Sequence, residues 1–240
     1  MDSNKKIARL AGVLYVFFIL TFIYSLGYVP GHFYVQGDAA ESIRRIQEAE
    51  SLFRLGIVVG MFACVVYLFL LAALYKLLSP VSKFAALMMV VFGVSHLPLF
   101  FTGHVDQLNL LALLTEKHYA AFNTEQLHAQ ALLLIDGYKN SVRINMFFMS
   151  IWLFPFGYLV FKSGFLPKFL GILLMLNGLP YLVSFLKDVL DPTFTYPTVL
   201  SYFLKAVVNG EFVACLWLLI MGAKEPTAAI AGPRGTGETI

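Results

Sequence analysis

The chain is 240 residues long, 59% hydrophobic, 15% aromatic and only 13% charged, against roughly a quarter charged in an ordinary soluble domain. With a mean hydropathy of +0.78 it cannot clothe a water-facing globule, so the composition implies an all-α polytopic membrane protein and excludes a disordered chain or a coiled coil. The net charge of +3 is small and scattered, which excludes an electrostatic footprint on nucleic acid.

A membrane helix needs about 20 largely apolar residues. Six segments meet or approach that length: 7–28, 55–77, 84–101, 141–162, 168–187 and 198–221. The first follows Lys5, Lys6 and Arg9 and meets no formal charge until Asp38. Its apolar stretch is too long for a signal-peptide core and lacks a small-x-small cleavage site, so it reads as an uncleaved span. Asp38 then fits an N-cap, and Ala40, Ile43, Ile46, Ala49 and Phe53 recur at helical spacing. Arg44, Arg45, Glu48 and Glu50 fill the other face, predicting an amphipathic helix that continues into the second span. The second span presents Gly56 and Gly60 as a G-x-x-x-G face suited to close helix packing. The third carries His96 near Pro98.

Residues 108–114 read as an apolar half-helix. Asn123 and Gln126 form a capping pair that opens a long helix through Leu127, Ala131 and Leu134 toward the fourth span. Segments 30–53 and 102–140 are therefore expected as a helical cap on the outer face. Pro98, Pro155 and Pro180 lie inside spans and predict kinks, whose freed carbonyls are often re-satisfied around a cavity. The sixth span is interrupted by Lys205 and Glu211. Residues 1–222 read as one transmembrane domain, and 223–240, rich in Gly, Ala, Thr and Pro, as a disordered cytoplasmic tail.

Six spans place both termini on one side. Lys76 and Lys83 flank the turn at 79–82, and Lys162 and Lys168 flank the turn at 163–167. Lys5, Lys6, Arg9 and Lys224 join them, which by the positive-inside rule makes that side cytoplasmic in an inner membrane. The odd spans open alike: Lys83-Phe84-Ala85-Ala86 parallels Lys168-Phe169-Leu170-Gly171, and Arg9-Leu10-Ala11-Gly12 fits the same frame. Three hairpins in a threefold pseudo-repeat would explain this; the positive-inside rule alone also yields a cation before each span. Cys64 and Cys215 lie in apolar runs and read as small buried apolar residues.

Charges at membrane depth are costly and usually face protein or water. The candidates are Arg54, Arg143, Lys205, Asn209 and Glu211, with Asn145 and Asn177. Lys205 and Asn209 are four apart and share a face of a continuous helix. Glu211 points elsewhere and needs a partner from another helix, for which Arg54 and Arg143 are the natural options. Two readings stand. Either Arg54, Arg143 and Lys205 converge beneath the cap on an anionic group, or they reach the interface and pair with Glu50, Asp136 and Glu211. His96 reads as a helix-packing histidine. His104 and Asp106, with His118, His128 or Asp136, are the residues from which a metal site would be assembled, but they lack the H-E-x-x-H spacing, so no metal is assigned. No G-x-S-x-G, P-loop or G-x-G-x-x-G occurs, and the sequence specifies no cofactor.

Ser51-Leu52-Phe53-Arg54-Leu55-Gly56, Ala73-Leu74-Tyr75-Lys76-Leu77-Leu78 before Pro80-Val81, and Gly157-Tyr158-Leu159-Val160 with Ser163-Gly164-Phe165-Leu166-Pro167 resemble a family. They are similar to the bacterial multi-pass membrane proteins catalogued as domain of unknown function 4386, over about 6–222. The resemblance implies a multi-pass protein and supplies no activity; Arg54 is the only candidate polar residue in its motifs. The reading that follows is a non-enzymatic membrane protein surrounded by lipids. It would bind a lipophilic or anionic small ligand, or a lipid, in an outward-facing cavity. The alternatives are a membrane enzyme on a lipid-like substrate, using Glu211 or the His104/Asp106 region, and a proton-coupled transporter with Glu211 as carrier.

Overall fold

The computed structural model describes residues 3–116, 119, 121–207 and 209–224. Lys117, His118 and the tail beyond Lys224 lie outside the described residues. Every regular element among the described residues is helical. α1 (Ser3–Phe22) passes through a π-helical turn (Ile23–Tyr28) into α2 (Val29–Phe33), making one apolar rod over Asn4–Phe33. α3 (Ala39–Glu48) follows, with the Asp38 carboxylate accepting from the Glu41 N–H at 2.9 Å as an N-cap does. α3 buries Ile43 and Ile46.

The chain breaks at Ala49 (φ −133°, ψ 44°) before α4 (Glu50–Leu78). The amphipathic helix and the second span are thus two elements, not one continuous helix. α5 (Lys83–Ser95) and α6 (Leu97–Thr115) meet at His96, where Pro98 in the first turn of α6 interrupts the helix. Together they form an apolar helical stretch over Lys83–Thr115, so the helix that carries the third span continues past residue 101. Residues 102–115, expected in the cap with a half-helix at 108–114, are helical throughout and continue that stretch. α7 (Thr124–Lys162) opens on the Asn123/Gln126 capping box and runs through Pro155. α8 (Lys168–Leu190) runs through Pro180. α9 (Thr198–Val207) and α10 (Gly210–Ile220) complete the described chain.

Six helical stretches are long and apolar enough to cross a membrane, and the protein is a multi-pass membrane protein. Large apolar side chains such as Phe62, Phe69 and Phe84 stand exposed on the bundle's outside, as a lipid-facing surface requires. In lipid the hydrophobic effect does not drive helices together, so association rests on close packing and on polar contacts.

Two apolar clusters fill the bundle. The larger joins Tyr15, Tyr67, Leu74, Trp152, Phe156, Leu174 and Leu218 and extends to the end with the short turns. There Gly164 takes φ +71° and the Ser163 hydroxyl accepts from the Leu166 N–H at 3.1 Å, closing the loop between α7 and α8. The smaller cluster docks α3, through Ile43 and Ile46, against Val29, Phe33, Phe53, Leu110 and Ile135 at the opposite end.

Candidate functional site

The sixth span is interrupted at Asn209-Gly210, a pair with strong turn preference. Asn209 is non-helical (φ −91°, ψ 9°), and α10 begins at Gly210. A Cβ on Gly210 would stand 2.8 Å from the Leu173 carbonyl oxygen and 3.0 Å from the Asn177 Cβ, so only glycine lets α10 start against α8. A Cβ on Gly12 would stand 2.4 Å from the Leu219 backbone nitrogen, so α1 also lies directly on α10. The Gly210 approach sets α8 against the first turn of α10 and the Gly12 approach seats α1 along its last turn, which leaves Tyr15 of α1 within reach of Glu211, near the middle of the candidate span Thr198–Ile220.

Three donors converge on the Glu211 carboxyl. Oε1 accepts from the Tyr15 hydroxyl at 2.5 Å. Oε2 accepts from the Asn177 Nδ2 at 3.2 Å and the Tyr181 hydroxyl at 3.3 Å. The partial positive charge of the α10 N-terminus adds to them. No cation pairs with the acid among the described residues. Two buried polar atoms in this neighbourhood, the Asn177 Oδ1 and the Tyr67 hydroxyl, have no hydrogen-bond partner among the described residues.

Beside the carboxyl lies a cleft. A hollow of about 280 Å³ is lined by Phe18, Ile19, Phe22, Ile23, Met149, Tyr181, Asn209, Glu211 and Phe212. A second hollow of about 280 Å³ shares Phe22, Ile23, Met149 and Tyr181 with it and continues past Leu26 and Met146 to Asn145. The two form one groove between α1 with its π-turn on one side and α7, α8 and α10 on the other. Ile23 is 59% exposed and Phe212 51% exposed, so the groove opens sideways out of the bundle rather than along its axis. Its walls are apolar except for Glu211, Asn209 and Tyr181 at one end and Asn145 at the other.

The expected cations do not line this groove and share no ion-pair partner. Arg54 bonds Glu50 at 2.6 Å, one turn back on α4. Arg143 bonds Asn140 at 2.6 Å and lies 3.6 Å from Asp188 of α8 rather than near Asp136; Asp136 pairs with Lys139 at 3.5 Å. Lys205 stands exposed on α9 beside a shallow hollow containing Tyr196. The shared face expected for Lys205 and Asn209 is lost, because Asn209 lies outside the helix. Glu211 likewise takes neutral partners from α1 and α8 rather than Arg54 or Arg143, because the helix break resets its direction.

His96 packs on the Tyr67 ring at a centroid distance of 4.6 Å, and its Nδ1 has no hydrogen-bond partner among the described residues. His104 and Asp106 diverge, being two apart on a helix. The His104 Nδ1 meets the Gln107 Oε1 at 2.7 Å, and Gln107 donates to the Tyr34 hydroxyl at 3.3 Å. Asp106 lies against Gly137 of α7. Among the described residues no three His, Cys, Asp or Glu side chains come together as metal ligands. Gly56 packs on Val29, and Gly60 on His104 and Ser25, so the glycine face of α4 receives side chains rather than a second backbone. Sequence reasoning missed Tyr15, Tyr181 and Gln107. Their available signal is a hydroxyl or amide inside an apolar span, which must find a partner.

The sequence profile of the family described as Domain of unknown function (DUF4386) matches residues 10–222. An uncharacterized protein of Archaeoglobus fulgidus is 29% identical over 168 residues, which span 70% of this chain and 84% of that relative. No solved structure matches the chain.

Proposed function

The chain belongs to the family described as Domain of unknown function (DUF4386), and from that premise we propose that it is a non-enzymatic membrane protein that binds a lipophilic small molecule or a lipid in the Glu211 cleft. The observation that carries this reading is the cleft itself. It is an apolar groove of ligand dimensions, open sideways, with a few polar groups gathered at one end, as small-molecule sites are generally built. The lipophilic version is favoured over the anionic one, since Arg54, Arg143 and Lys205 line no part of the groove and none of its lining residues is a Lys or Arg.

The setting we propose is a bacterial cytoplasmic membrane with both termini in the cytoplasm. The support is the basic flanks of the two short turns, Lys76 with Lys83 and Lys162 with Lys168. Mass spectrometry of the purified protein and its co-purified small molecules tests the site. Wild type is expected to retain a lipophilic species that a Met149→Trp variant, with the groove filled, releases while remaining folded. Equal retention by both proteins would overturn the assignment.

A further inference from the structure

Resting on that cleft as a ligand site, we propose that its ligands are lipophilic cations, and that each cation bound replaces the proton of Glu211. The groups that face the carboxyl come from every helix packed around it: Tyr15 of α1, Tyr67 of α4, Asn177 and Tyr181 of α8, and Cys215 on α10 itself. None of them is positively charged. An ionised carboxylate in the middle of a span is strongly disfavoured without an opposite charge. The acid therefore holds a proton when the groove is empty of cation, or is paired by a positive charge that none of the described residues supplies. The groove is where that charge would come from.

Three features select the class. Phe18, Phe22 and Phe212 present aromatic rings at the acid's end of the groove, and aromatic faces attract organic cations. The sideways opening faces the bilayer, where a lipophilic cation concentrates and a hydrated metal ion does not. One carboxyl among apolar walls offers a divalent metal too few oxygen ligands, whereas a diffuse monovalent charge needs only one counter-charge.

The exchange balances. A cation enters, the Glu211 O–H bond breaks, the proton leaves to water, and the site's net charge is unchanged. The anionic acid is held by the three donors already aimed at it. The neutral acid is served by Asn177. Its Oδ1 is buried and without a partner, and turning the amide over presents that oxygen to the acid's O–H. One side chain thus suits both states.

The test uses the full chain in detergent, with tetraphenylphosphonium as the cation and triphenylphosphine oxide as an uncharged probe with the same rings. Calorimetry is expected to show tetraphenylphosphonium affinity rising up to about tenfold per pH unit while Glu211 is protonated, with close to one proton released per cation. Glu211→Gln is expected to lose the proton release and weaken cation binding at least about tenfold, with the uncharged probe unaffected. Tyr181→Phe, which keeps the acid, should still release the proton. It carries the proton-release test if Glu211→Gln does not fold. A wild-type protein that binds both probes alike without proton release overturns the cation assignment and leaves the cleft standing. Binding of neither probe, or equal binding of both by Met149→Trp, overturns the cleft as well.

Discussion

Two polar knots lie buried in this bundle, one around Glu211 and one around His104, and they are built from similar parts. Each joins an ionisable side chain to amides and tyrosines from other turns or helices. Each adjoins a helix irregularity: the break at Asn209 for Glu211, and the π-turn carrying Ser25 for His104. They differ in the space beside them. Glu211 forms the wall of a groove with hollows of about 280 Å³. His104 borders a hollow of only about 10 Å³, the size of a single water position. Its Nε2 stands 2.3 Å from where a Cβ on Gly60 would lie. A buried ionisable group is thus a weak sign of function by itself. The adjoining volume separates a ligand site from a packing knot.

The sharpest way to break this comparison is to crowd the closed knot. Gly60→Val would occupy the place of the His104 ring and the Ser25 hydroxyl, and is expected to cost about 3 kcal/mol in denaturant unfolding. A near-neutral result would mean that the His104 knot is loosely packed. Next is Tyr15→Phe, which removes the shortest bond to Glu211 and is expected to cost about 2 kcal/mol, because it leaves a buried carboxyl oxygen without its donor. The same variant keeps the acid and should still release the proton on cation binding. His104→Leu leaves the Gln107 Oε1 without the His104 ring and is expected to cost about 1 kcal/mol. It should leave tetraphenylphosphonium affinity unchanged; a tenfold loss there would join the two knots functionally.

The smallest effects belong to exposed ion pairs. The Glu41 carboxyl is held down from its usual 4.5 to about 2 by hydrogen bonds from Arg44 and then Arg45. A lowered acid stabilises the fold above its unfolded value and loses that contribution as pH falls through the folded one. Amide-exchange protection of α3, corrected for intrinsic rates, should therefore hold down to about pH 4.5 and decline toward about pH 2. Arg54→Ala breaks an exposed pair on one helix and should change stability by less than about 0.5 kcal/mol.

Much of the fold was legible in the residues. The Asp38 cap, the Asn123/Gln126 capping box and the apolar spans are local patterns, and local patterns survive folding. The misses were local breaks and distant meetings. Ala49 separates α3 from α4 although no proline or glycine stands there. The helix after Pro98 ran on unbroken to Thr115, into residues read as a separate half-helix. At the site, Glu211, Asn209 and Asn177 were visible as polar residues in apolar surroundings. Their partners Tyr15 and Tyr181 lie 196 and 30 residues away in the chain, and no spacing rule links them.

Sequence by itself determined that this is a helical, multi-pass membrane chain, because a bilayer's thickness and apolarity act on each segment separately and leave their mark in its length and composition. It also determined which few polar groups must be answered inside. Only the tertiary structure decided which groups answer them. That depends on how each helix is rotated and how closely it approaches its neighbours. The decisive approaches are made where Gly12 and Gly210 admit another helix into contact. There an acid that seemed to call for an arginine met two tyrosines, an asparagine and an open groove.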